Sequence, residues 1–152
     1  MKLPICGDCS RRTLLKGLGI AAAVLAVPGC MQAGSNLPSA ASASCGQSLC
    51  IDLTNAANKD LTTVGGAMLL DTSSDTIMVI RQSSSDVVAL SAICTHSGCS
   101  MNFNASQQLL DCPCHGSQFD ESGNVLRGPA NRPLRVYQAS LDTTTNTITV
   151  TP

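Results

Sequence analysis

At 152 residues and 15.6 kDa the chain has room for one domain with a modest core, which excludes any large enzyme scaffold. Only three residues are aromatic (Phe103, Phe119 and Tyr137) against nine cysteines, so stability must lean on β-branched side chains, backbone pairing and covalent staples. The formal net charge is -1 and Lys and Arg do not cluster beyond residue 16, which excludes nucleic acid as a partner.

The first sixteen residues carry Lys2, Arg11, Arg12 and Lys16 against Asp8, and GLGIAAAVLAV follows at 17–27. Eleven small or apolar residues fall well short of the roughly 20 that a membrane-spanning helix needs. Residues 1–30 therefore read as an export signal. The run SRRTLLK at 10–16 resembles a twin-arginine signal, with Leu14 where that family most often has Phe. The resemblance implies export of a folded, cofactor-loaded protein to the periplasm or the outer face of the cytoplasmic membrane. Val27-Pro28-Gly29-Cys30 looks like a lipobox, so lipidation of Cys30, cleavage at a small-residue site and retention as a short anchor all stay open. GLGIAA at 17–22 matches G-x-G-x-x-A but lacks the strand and βαβ unit a dinucleotide site needs. Cys6 and Cys9 have C-x-x-C spacing, yet would leave with the signal. Residues 31–47, rich in Ser, Ala, Gly and Gln, read as a flexible tether. From Cys30 onward five basic and nine acidic residues leave a charge of -4, which would suit a basic redox partner without establishing one.

The domain is expected over 48–152. Short runs of Val, Ile, Leu and Thr recur there at about ten-residue intervals between turn residues, a pattern of all-β folds. Strands are predicted at 49–54, 67–71, 76–82, 87–93, 108–111, 134–141 and 147–151, the last two forming a hairpin across 142–146. Gly and Pro concentrate between 98 and 133, so the chemistry is expected in loops.

Both histidines lie beside cysteines, in Cys94-Thr95-His96-Ser97-Gly98-Cys99 and Cys112-Pro113-Cys114-His115-Gly116-Ser117. Taken as ligands they read C-x-H, fifteen residues, then C-x-x-H, two thiol–imidazole pairs able to converge on one metal centre. Zinc is the first alternative, but structural zinc usually draws on C-x₂₋₄-C and H-x₃₋₅-H pairs.

These boxes resemble the cluster-binding motifs of Rieske iron-sulfur proteins, closely over 94–119 and weakly to Leu134. The resemblance implies stacked antiparallel sheets with a cluster-binding subdomain formed by two loops. It also implies a [2Fe-2S] cluster with Cys94 and Cys112 on the inner iron and His96 and His115 on the outer one. It further implies a Cys99–Cys114 disulfide, which an oxidising compartment would preserve. Cys45 and Cys50, close in sequence, suggest a local disulfide. Ser117 matches a serine that donates to a bridging sulfide, whereas Phe119 stands where higher-potential members have a tyrosine. A potential below the quinol-oxidising members and above all-thiolate ferredoxins is expected. Ser97 replaces a common leucine of the quinol dock, and the segment 128–134 resembles the proline-rich loop over the cluster, with Asn131 for a frequent proline.

The implied function is one-electron transfer outside the cytoplasm, as a free carrier or as the small subunit of a larger oxidoreductase of the arsenite-oxidase type. Substrate chemistry would lie on the partner, a cytochrome or a large subunit, because neither a third histidine nor a Ser-His-Asp set is present. The first alternative is the Rieske subunit of a cytochrome bc complex, with quinol as partner. The second is a disulfide-stabilised binding module holding zinc or nothing.

Overall fold

The computed structural model describes residues 35–152. The export-signal, Cys6/Cys9, GLGIAA and Cys30 readings lie outside the described residues. Within them, no helix is long and apolar enough to cross a membrane.

Eleven strands follow in chain order: β1 (Ala43–Cys45), β2 (Ser48–Asp52), β3 (Ala67–Asp71), β4 (Thr76–Arg81), β5 (Val87–Ser91), β6 (Asn102–Asn104), β7 (Leu109–Asp111), β8 (Gln118–Asp120), β9 (Val125–Arg127), β10 (Val136–Asp142) and β11 (Thr147–Thr151). A short 3₁₀ helix at Ala56–Thr62 follows β2, its first turn capped by the Asn55 side chain accepting from the Ala57 N–H. The all-β expectation holds. Two antiparallel sheets are present, one ordered β1-β2-β11-β10-β5-β4-β3 and a smaller one ordered β6-β7-β8-β9.

The closing hairpin shows the local logic. In β11 Ile148 and Val150 are fully buried while the intervening threonines stay outside, and β11 pairs with β10 from Asp142↔Thr147 to Gln138↔Thr151. The Asp142 carboxylate accepts from the Thr144 and Thr145 N–H groups and fixes the turn. β4 behaves differently, since Ile77 and Val79 enter one core and Met78 and Ile80 the other. That double burial explains why its sequence, TIMVIR, shows no polar alternation. The first core fills the large sheet with Ile51, Leu61, Met68, Leu70, Ile148 and Val150. The second joins the outer face of β3–β5 to the small sheet, and both Cys94 and Cys112 belong to it.

The stretch expected as a flexible tether differs over its described part. Leu69 donates to the Pro38 carbonyl and accepts from the Ala40 N–H, so residues 38–40 cover the outer edge of β3. A few residues on, β1 pairs with β2 at the opposite edge of the same sheet. Fully buried Asn58 fixes the stretch between: its Oδ1 accepts from Ala41 N–H at 2.8 Å, and its Nδ2 donates to the carbonyls of Ala41 and Asp52 at 2.8 and 2.9 Å. A polar, small-residue sequence suggested no core, but backbone pairing at two sheet edges needs none. Cys45 and Cys50 are disulfide-bonded across the β1–β2 hairpin.

Candidate metal centre

Two loops carry the site, residues 94–99 between β5 and β6, and residues 112–117 between β7 and β8. They are built alike. In the first, Cys94 N–H donates to the Cys99 carbonyl and Gly98 N–H to the Cys94 carbonyl, at 2.8 and 2.9 Å. In the second, Cys112 N–H donates to the Ser117 carbonyl and Gly116 N–H to the Cys112 carbonyl, again at 2.8 and 2.9 Å. The chain reverses at Gly98 (φ 73°) and Gly116 (φ 75°), a left-handed conformation that an L side chain rarely adopts. The sequence signal is C-x-x-x-G-[CS], repeated eighteen residues apart, a repeat that the spacing of the thiols and imidazoles alone does not single out.

This construction sorts the donors by depth. Cys94 and Cys112, first in each loop, are free thiols 2% and 1% exposed. His96 and His115, nearer the loop tips, are exposed, with ring centroids 4.8 Å apart and planes at 82°. Cys99 and Cys114 form a disulfide that ties the loops together, and the Cys112 sulfur lies within 4.8 Å of both its sulfurs. Burial pushes the Cys112 thiol up, reinforced by its hydrogen bond with Cys94, while the N–H groups of Cys114 and His115 aim at its sulfur and pull the other way. A Cys112 thiolate in so dry a site would need a compensating cation, and the N–H groups of Cys114 and His115 are already set to receive it. Paired buried sulfurs beneath paired exposed imidazoles fit an asymmetric iron–sulfur cluster, and loading it would displace the thiol protons. They do not fit a closed zinc site as well, because the nitrogen donors are open to solvent.

The proline-rich segment closes over both loops. Thr95 Oγ1 donates to the Arg132 carbonyl at 2.8 Å, and Ala130 N–H donates to Ser117 Oγ at 3.0 Å. Ser117 is fully buried. Its oxygen is used as an acceptor there, which leaves the hydroxyl proton to be donated. Phe119 on β8 is fully buried in the core that holds Cys94 and Cys112. Ser97 Oγ lies 2.9 Å from His96 Nδ1. Neither Thr95 nor Ala130 could be found from residue type, because each acts through a partner distant in sequence.

The Rieske [2Fe-2S] domain family matches residues 54–138, more than half of the chain. Among curated proteins the chain is similar to the cytochrome b6-f complex iron-sulfur subunit of Synechococcus sp. (strain JA-3-3Ab), 45% identical over 67 residues, which cover 44% of this chain and 39% of that protein. The corresponding subunit of Nostoc punctiforme is 46% identical over 63 residues, covering 41% and 34%. The matches thus span about two fifths of the length of these curated relatives. Among solved structures it resembles the cyanobacterial plasma membrane Rieske protein of Synechocystis PCC 6803, at a TM-score of 0.52 and 32% identity over 57% of this chain and 86% of that one. It also resembles the ferredoxin of carbazole 1,9a-dioxygenase from Nocardioides aromaticivorans IC177, at 0.51 and 29% over 59% and 88%. The sheets, the paired loops and this match together make the chain a member of the Rieske [2Fe-2S] family, a cluster-binding electron-transfer protein.

Proposed function

We propose that Cys94 and Cys112 hold the inner iron and His96 and His115 the outer iron of the [2Fe-2S] cluster, in an exported protein that relays single electrons through its histidine-tipped end. The observation that carries the reading is the division of donors by depth: sulfurs buried, imidazoles exposed. When bound, the cluster accepts and returns one electron. The chain's own residues set the conditions. The loop N–H groups stabilise negative sulfur, and neutral imidazoles in place of two thiolates make the site less negative, which favours the added electron. The Cys99–Cys114 bridge and the Thr95 and Ser117 bonds to the proline-rich segment hold the donors in register.

The test is iron content and reduced-state EPR of the purified protein. The double variant His96→Ala/His115→Ala should lose iron, or lose the low average g that marks nitrogen ligation. Iron retained with an unaltered spectrum would overturn the ligand assignment.

For the partner, a free carrier or the small subunit of a larger oxidoreductase fits Ser97 at the tip and Phe119 beneath it. A subunit of a quinol-oxidising cytochrome complex is the second reading, favoured by the names of the similar curated proteins. Cytochrome b recovered with the native protein from solubilised membranes would select the second, and its absence beside an abundant Rieske EPR signal the first. Export by a twin-arginine signal over 1–30 and lipidation at Cys30 belong to the same proposal, and intact-mass measurement of the native protein tests both.

A further inference from the structure

The charge of the domain is distributed unevenly along its length. β4 and β5 meet the cluster loops at their Thr76 and Ser91 ends, and the opposite end holds the turn 82–86. At that far end stand Asp86, Asp120 and Glu121, the last accepting from Gln82 Nε2 at 3.0 Å. Asp52 and Asp142, both flanking Thr147 in the large sheet, stand there too. Arg81 at that end is buried, its guanidinium spent on the carbonyls of Ser83, Ser84 and Leu61.

The loop end differs, its carboxylates being Asp71 and Asp75 at the β3–β4 turn beside Thr76, and Asp111. No charged residue occurs in 87–110 or 112–119, so both cluster loops are uncharged. The small sheet presents the row Asn102, Asp111, Gln118, Arg127 toward them, with Arg127 opening the proline-rich segment. Arg132 lies at that segment's tip, its carbonyl bound to Thr95 beside His96. Both arginines are exposed, and no acidic residue occurs between 122 and 141. Arg135 is excluded from the group because its guanidinium lies 4.9 Å over the Tyr137 ring, whose hydroxyl donates to Asp75.

We infer that Arg127 and Arg132 form a basic rim around the histidine tip that docks an acidic face of the redox partner, opposite to the partner expected from the net charge. The inference rests on the ligand assignment above, which makes the histidine tip the electron exit. Carboxylates are in excess at the far end, whereas at the loop end the arginines offset Asp71, Asp75 and Asp111, and this difference orients the molecule before contact, tip first toward an anionic surface.

The experiment uses the cluster-loaded full chain and the redox-inert trianion hexacyanochromate(III), whose paramagnetism broadens NMR signals near its binding place. Two exposed residues report: Leu126 beside Arg127, and Val64 next to Gly65, whose N–H donates to the Arg81 carbonyl at the far end. Broadening should be stronger for the Leu126 methyls at 10 mM ionic strength and should fall about fivefold in Arg132→Glu, with Lys59→Glu unchanged. In parallel, one-electron oxidation of the reduced protein by hexacyanoferrate(III) should slow about threefold from 10 to 200 mM salt, and oxidation by tris(phenanthroline)cobalt(III) should not slow. Equal or stronger broadening at Val64, or a hexacyanoferrate rate that rises with salt, overturns the proposal. Arg132-dependent sedimentation with phosphatidylglycerol vesicles would assign the rim to a lipid surface and also overturn it. Anion broadening requires no electron transfer, so a wrong ligand assignment shows separately, in iron content and EPR.

Discussion

Phe119→Tyr adds a single hydroxyl to the core that holds Cys94 and Cys112, the sulfurs proposed as cluster ligands. Phe119 is fully buried, faces Leu110 and Val125 across β7 and β9, and shares its packed cluster with Cys94, Cys112, Ala130 and Leu134. A hydroxyl placed there without a partner costs about 1–3 kcal/mol, so it will seek the strongest acceptor within reach, a ligand thiolate. Such a bond favours the reduced cluster, which is one charge more negative. A differential of about 1 kcal/mol corresponds to about 45 mV, since a tenfold change in a one-electron equilibrium is about 59 mV. The variant should therefore titrate about 30–60 mV above the parent, with both inside the Rieske range of about -150 to +300 mV. Dye-mediated redox titration followed by EPR measures this, alongside urea unfolding, where crowding should cost about 1–2 kcal/mol. A variant that keeps its cluster and its fold but titrates at the same potential, or lower, refutes the reasoning.

Asn58→Ala removes three hydrogen bonds from a fully buried position and strands the polar groups of Ala41, so unfolding stability should drop by about 2–4 kcal/mol and amide exchange at 38–45 should accelerate; a loss under about 0.5 kcal/mol would contradict the account. Tyr137, the one tyrosine of a chain without tryptophan, is pushed up by burial and then by the Asp75 carboxylate that its hydroxyl meets. The folded phenol thus ionises above its ordinary value of about 10, and its contribution to stability is complete below that pH and disappears as pH rises through the raised value. Ultraviolet titration of the folded protein should show the later midpoint, and one at or below that of the urea-unfolded chain would count against it. Replacing both Cys45 and Cys50 by Ser opens a small closed loop and should cost about 2 kcal/mol by chain entropy, read by urea denaturation with the cluster signal intact.

Much of this architecture could be read from residue types because the signals were local. The β10–β11 hairpin announces itself through TITVT and the turn before it, and the paired thiol and imidazole side chains through two short boxes. The expected strands at 67–71, 76–82 and 87–93 correspond to β3–β5 within two residues. The three-residue strands β6, β8 and β9 escaped notice because three residues are too few for a period, and their pairing depends on the loops between them. β1 and the pairing of 38–40 escaped for another reason: backbone groups make those contacts, and backbone groups are the same in every sequence. The bonds from Thr95 and Ala130 join segments thirty-seven and thirteen residues apart, so neither could be found within one motif. Net charge says least about the site, since a single sum hides the placement of Arg127 and Arg132 at one end.

The bridging of β3 and β2 by residues 38–45 also fixes how the domain carries mechanical load. Tension on the chain ahead of residue 35 reaches the Asn36–Asn102 bond first, then the Pro38–Leu69 and Ala40–Leu69 bonds, then Asn58, and only afterwards the β1–β2 pair, which the Cys45–Cys50 bridge clamps. Peeling would thus stop at the disulfide, with β2 and the strands beyond it in the large sheet still paired.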